Sequence, residues 1–225
     1  YLKINTENAS VARRIFNLLK WVFGVHTNVN IKKNKSLKHT NSYALFVEEK
    51  DSLNTILKGL HFASDISGRG NLIHFRIHNA FIGSECCKKA FVRGAFLGGG
   101  SITDPEKNYH LEIVTHHYLL SKDLCKLLNE FGFEAKTIVR KSNYVTYFKG
   151  SENIVDLLNI IGAHKALMEL ENIRIMKEMR NNVNRVVNCE TANLEKTVNA
   201  AVNQMQSIEY LRNTRGVEKL PTSLH

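Results

Sequence analysis

Two stretches of the chain carry the same order of apolar and polar positions. Tyr1 to Leu60 can be laid over Tyr109 to Ile161 with short gaps. Leu2, Ile4 and Thr6 then fall on Leu111, Ile113 and Thr115, and Val11, Ile15, Leu18 and Leu19 on Leu120, Leu124, Leu127 and Leu128. Alternation in the first set predicts a strand, and three- and four-residue steps in the second predict a helix. Gly24 and Gly132 stand where each helix stops, at positions suited to a left-handed residue.

Each copy continues with two extended segments. These are Thr27 to Lys33 with Ser42 to Val47, and Lys136 to Arg140 with Tyr144 to Phe148, the latter joined by a hairpin turn at Lys141, Ser142 and Asn143. A further helix follows in each copy, with Asp51 and Ser151 expected as its caps. An apolar helical stretch, Glu85 to Leu97, precedes the second copy, and a matching helix before Tyr1 would complete a pseudo-twofold pair. The expected fold is α+β: tandem αββαββα repeats forming a pseudo-twofold saddle, then C-terminal helices. Two such helices are expected, one over His164 to Met179 and one carrying Leu194, Val198, Ala201, Met205 and Ile208, with Asn181, Asn182, Asn184 and Asn188 breaking the connection. The expected divisions are 1–83, 84–182 and 183–225, the last a helical segment and linker.

Composition narrows the function. The 225 residues are 43% hydrophobic and carry 31 Lys and Arg against 21 Asp and Glu, a net charge of +10 that favours polyanionic partners, nucleic acid first. No run of about 18 apolar residues occurs, so a cytoplasmic protein with no membrane partner is expected. Cys86, Cys87, Cys125 and Cys189 include no CxxC pair and read as reduced thiols, and the ten histidines show no ligand spacing. No metal and no cofactor are expected.

The segment AFVRGAFLGGGSITDPEKNYHLEI, from Ala90 to Ile113, is a helix that ends in glycines before a turn and a strand. Lacking a β-carbon, Gly98, Gly99 and Gly100 let two such helices approach closely and let the chain turn. A phosphate loop would need its glycines to open a helix and a GxxxxGK[ST] pattern, which is absent. From Val92 to Gly100 the segment resembles the motif of the LAGLIDADG homing endonucleases, with Gly94, Gly98, Gly99 and Gly100 retained. In active members the penultimate motif position is an acid that binds metal; here it is Gly99, and the first copy's motif would precede Tyr1. Further on, NRVVNCETANLEKTVNAAVNQ, from Asn184 to Gln204, resembles the signature of the WhiA family of bacterial regulators through Asn188, Glu190, Thr191, Asn193, Lys196 and Thr197.

These resemblances imply a degenerate endonuclease-like scaffold followed by a helix-turn-helix domain, acting in sporulation or cell-division control. The helix-turn-helix domain is expected to begin near Lys219, Leu220 and Pro221, leaving the main DNA reader outside this chain. No catalytic residue is then expected. DNA contacts are expected from Lys3, Lys32, Lys35, Lys38, Lys136, Arg140 and Lys141, with Tyr43 and Tyr144 stacking or bonding to sugar and phosphate. Lysines and arginines spread over a sheet neutralise phosphates without reading bases, so binding should be weak and largely non-specific. The protein is expected in the cytoplasm on the nucleoid, with transcription or cell-division proteins as further partners and an oligomeric state that the residues leave open. Two other readings stand beside this one: a metal-dependent endonuclease, and a protein-interaction module in which the absent helix-turn-helix domain does the DNA work.

Overall fold

In the computed structural model, residues 1–33, 41–64, 72–73 and 75–214 are described. The chain divides into a unit of Tyr1–Met168 and a unit of Glu169–His225. In the first unit, strand β1 (Leu2–Thr6) leads to helix α1 (Ala9–Phe23), strands β2 (Asn28–Lys33) and β3 (Asn41–Val47), and helix α2 (Lys50–Gly59). A short pair, β4 (Ala63–Ser64) and β5 (Leu72–Ile73), and a 3-10 turn at Asn79–Phe81 lead to the second copy. That copy holds α3 (Glu85–Gly99), β6 (Gly100–Ile102), β7 (His110–Thr115), α4 (Tyr118–Glu130), β8 (Lys136–Arg140), β9 (Asn143–Lys149) and α5 (Ser151–Ile160). Both sheets are antiparallel and of the same design, β1-β3-β2 in one and β6-β7-β9-β8 in the other.

Alternation sorts each sheet into two faces, because residues directly opposite across an antiparallel pair share a face. Leu2 pairs with Val47 and Ile4 with Leu45, and these face the helices, where Leu19, Val25 and Ile56 complete a core. In the second copy Leu111, Ile113, Thr146 and Phe148 are buried on the equivalent face, and the rings of Phe148 and Phe133 stack 4.9 Å apart. Gly24 caps α1 at φ 66° and Gly132 follows α4 at φ 89°, both left-handed as the sequence demands. Asn8 opens α1 with its side chain accepting from the amides of Ser10 and Val11.

The expected caps at Asp51 and Ser151 are not formed. Helix α2 begins after Glu49 and α5 after Gly150, and neither has a side-chain cap bond. A cap is worth about 1 kcal/mol, whereas burying Ile56, or Ile154, Leu157 and Leu158, is worth roughly 1.5 to 3 kcal/mol each, so packing sets where these helices start. The β8–β9 turn places Lys141 and Ser142 at φ 47° and 63° between the paired Arg140 and Asn143, the left-handed conformation of a tight hairpin turn.

The segment linking the copies is clamped to α4 by a contact that spans 47 residues. Arg76 donates two hydrogen bonds to the Asp123 carboxylate, at 3.0 and 2.8 Å, and the amide of Ile77 donates a third at 3.2 Å. The Arg76 guanidinium holds the Asp123 carboxyl below its ordinary value. A depressed carboxylate pKa adds stability that is present above the ordinary aspartate value and lost as pH falls through the folded one. Asp123→Asn should therefore lower Tm at neutral pH, and its difference from the parent should close below about pH 4 in thermal melts.

The C-terminal region corrects the expected pair of helices. His164–Thr214 is one helix, α6, of 51 residues. No glycine or proline lies between its ends. Each asparagine costs a helix only about 0.7 kcal/mol, too little to break it.

Candidate nucleic-acid interface

The faces of the two sheets turned away from their helices follow from the same registers. On the first, Lys3 pairs with Phe46 and Asn5 with Ala44, while Asn28, Asn30 and Lys32 pair with Phe46, Ala44 and Ser42. On the second, Lys136 and Glu112 flank Tyr147, His110 pairs with Lys149, and Arg140 with Asn143. The two open faces thus carry five cations, Lys3, Lys32, Lys136, Arg140 and Lys149, against one carboxylate, Glu112. Amides and rings lie between them. The Lys3 ammonium sits 5.5 Å from the Phe46 ring centre, and the His110 and Tyr147 rings are 5.5 Å apart.

Glu112 is itself neutralised. It accepts from Arg140 at 2.7 Å and lies 3.5 Å from His110 Nε2. The Arg140 guanidinium, followed by His110, holds its carboxyl below the usual range despite partial burial. Arg140 is therefore held by a protein carboxylate, which leaves Lys3, Lys32, Lys136 and Lys149 as the exposed ammonium groups of the open faces.

Lys3, Lys32, Lys136 and Arg140 lie on the faces that alternation assigns to them. Lys141 sits in the hairpin turn beside them. Tyr43 and Tyr144 do not lie there. Tyr43 pairs with Thr6 and Ile31 on the helix-side face, and Tyr144 pairs with Thr115 and Val139 and tilts against Tyr118 of α4 at 5.4 Å. Their parity with the buried Leu45 and Phe148 is the signal that separates them from the open face. The same parity points to Tyr147, Lys149, Asn28, Asn30 and His110, which alignment of the two copies alone passes over. Lys35 and Lys38 lie outside the described residues, as do Lys219, Leu220 and Pro221.

Two glycines of the motif have a packing role within the second repeat itself. A β-carbon on Gly94 or Gly98 would meet nothing within 4 Å. On Gly99 it would lie 2.4 Å from the Val114 carbonyl oxygen in β7, and on Gly100 2.2 Å from the Phe96 ring and 2.6 Å from its carbonyl oxygen. The end of α3 thus presses its backbone onto its own strand, and Gly99 and Gly100 are required there by close approach. A two-metal centre of the kind the resemblance implies does not fit this residue set, since Gly99 offers no donor atom and its site has no room for one. Among the described residues no three His, Cys, Asp or Glu side chains are grouped to hold a metal ion. Asp104 instead accepts from the amide of Glu106 in the β6–β7 turn.

Asn188, Glu190, Thr191, Asn193, Lys196 and Thr197 are all exposed on α6. Thr197 donates to the carbonyl of Asn193, and the Asn193 amide lies 3.7 Å from the Cys189 sulfur. The four cysteines are free thiols, and no described helix is long and apolar enough to cross a membrane.

Residues 1–63 match the model of the WhiA N-terminal LAGLIDADG-like domain, residues 88–180 that of the WhiA LAGLIDADG-like domain, and residues 183–225 that of the WhiA C-terminal HTH domain. A protein of Clostridium botulinum strain Hall named "Probable cell division protein WhiA" is 52% identical over 222 residues, covering 99% of this chain and 70% of its own length. A namesake from Alkaliphilus metalliredigens is 48% identical over 223 residues with the same coverage. The crystal structure of full-length WhiA from Thermatoga maritima superposes with a TM-score of 0.63 at 24% identity, over 99% of this chain and 69% of that one, a likeness of fold.

Proposed function

Because the chain belongs to the WhiA family, we propose that it is a non-catalytic, DNA-associated transcriptional regulator of cell division or sporulation, built on a degenerate homing-endonuclease scaffold. The observation that carries this reading is the composition of the two open sheet faces, where five cations, several amides and two aromatic rings face outward and the one carboxylate is already paired. Such a surface neutralises phosphates and offers little that distinguishes one base pair from another. The match of residues 183–225 to a helix-turn-helix model supports DNA as the partner of the C-terminal part as well. The named relatives' role in cell division supports the regulatory part of the reading. The protein works in the cytoplasm on the nucleoid, beside transcription or division proteins.

Titration of a labelled duplex with the chain at two salt concentrations tests this. Affinity should fall steeply with salt and differ little between duplex sequences. Binding indifferent to salt, or magnesium-dependent nicking lost with one carboxylate change, would refute it.

A further inference from the structure

Helix α6 carries an apolar stripe whose spacing reads the same from either end. From Met176 the stripe steps by three, four, three and four residues through Met179, Val183 and Val186 to Glu190. Four residues on, Leu194 begins the mirror series of four, three, four and three through Val198, Ala201 and Met205 to Ile208. All ten positions are exposed, Leu194 at 66% and Met205 at 69%. On the opposite side of the helix, by the 3.6-residue period, stand Asn181, Arg185, Asn188, Asn199, Asn203 and Gln206.

We propose that this stripe is the contact surface for a second copy of the same chain, the two helices running antiparallel about a twofold axis beside residue 192. That pairing sets Met176 against Ile208 of the partner subunit, Met179 against the partner's Met205, Val183 against the partner's Ala201 and Val186 against the partner's Val198. Apolar then meets apolar in every layer but the central one, where Glu190 lies beside the partner's Leu194. A parallel pair would place Glu190 against its own copy, two like charges in one layer, so charge selects the antiparallel arrangement. The area suffices. A stripe from 176 to 208 is about 48 Å long and about 10 Å wide, roughly 500 Å² on each chain and about 1,000 Å² for the pair, the lower bound of a specific interface. A twofold contact of this kind uses one self-complementary patch on both subunits.

Sedimentation equilibrium of the 225-residue chain at micromolar concentrations tests the pairing. The expected mass is twice the 25.6 kDa of one chain. Val186→Lys alone, or Val198→Glu alone, should return the mass to that of one chain. The double variant should regain the dimer, since each Lys then faces a Glu of the partner. Where a single variant also loses helix content by circular dichroism, the double variant decides. A parent chain that stays single, single variants that stay paired, or a double variant that is not rescued would each overturn the proposal; the last is the outcome for a parallel pair or for a stripe covered by another protein segment.

Discussion

Gly99→Asp, the change that restores the acid of active LAGLIDADG enzymes at its motif position, is expected to unfold the second repeat more easily and to yield no DNA cleavage. The reason is steric before it is chemical. The new β-carbon would stand 2.4 Å from the Val114 carbonyl oxygen, a backbone atom of a central strand that cannot swing aside. The carboxylate would also face that carbonyl, acceptor against acceptor. Overpacking of this kind costs about 3 kcal/mol, which for a chain of this size lowers Tm by roughly 6 to 12 °C. Gly98→Ala is the matched control, because its β-carbon meets nothing within 4 Å. It should keep or slightly raise Tm, since alanine is the better helix former by about 0.5 to 1 kcal/mol. Thermal melts and a supercoiled-plasmid nicking assay with magnesium check both halves. An unshifted melt for Gly99→Asp would show the packing to be misread, and nicking would show that loss of one acid had merely disarmed a working site.

The second large effect is expected from reversing Lys32, Lys136 and Lys149 to Glu together. These lysines lie on the open faces, whereas Arg140 is held by Glu112 and its reversal would set two carboxylates side by side. Each phosphate contact adds close to one unit to the slope of log affinity against log salt, so the triple variant should lose a slope of about 2.7. Its affinity at low salt should fall by about 100-fold or more. A triple reversal at Lys20, Lys58 and Lys122, exposed on α1, α2 and α4, changes net charge equally and isolates the effect of position. Weakening by both triples to the same extent would mean that net charge alone attracts DNA and that the sheets have no special part.

Much of this arrangement could be read from the residues. The repeat, the strands and the stops at Gly24 and Gly132 follow from periodicity and from one conformational need, both local properties. Alternation also placed Lys3, Lys32, Lys136 and Arg140, because a strand has only two faces. Tyr43 and Tyr144, expected to meet DNA, share the parity of the buried Leu45 and Phe148 and so lie on the helix side. Other features are legible only in three dimensions. Nothing local marks Asp123 as the partner of Arg76 across 47 residues, or Val114 as the atom that forbids a side chain at Gly99. The helix starts at α2 and α5 obey packing against the sheets, which outweighs a cap by its energy. The unbroken α6 shows that four asparagines without glycine or proline weaken a helix less than they suggest.

Which sheet faces meet DNA can be tested directly with one pair of cross-linkers. A benzophenone side chain introduced at Tyr147, on the open face, should cross-link to bound duplex on irradiation. The same group at Tyr144, three residues away on the helix side, should not. Cross-linking from 144 in place of 147, or from neither while the duplex stays bound, would contradict the assignment of the open sheet faces as the DNA-contacting surface.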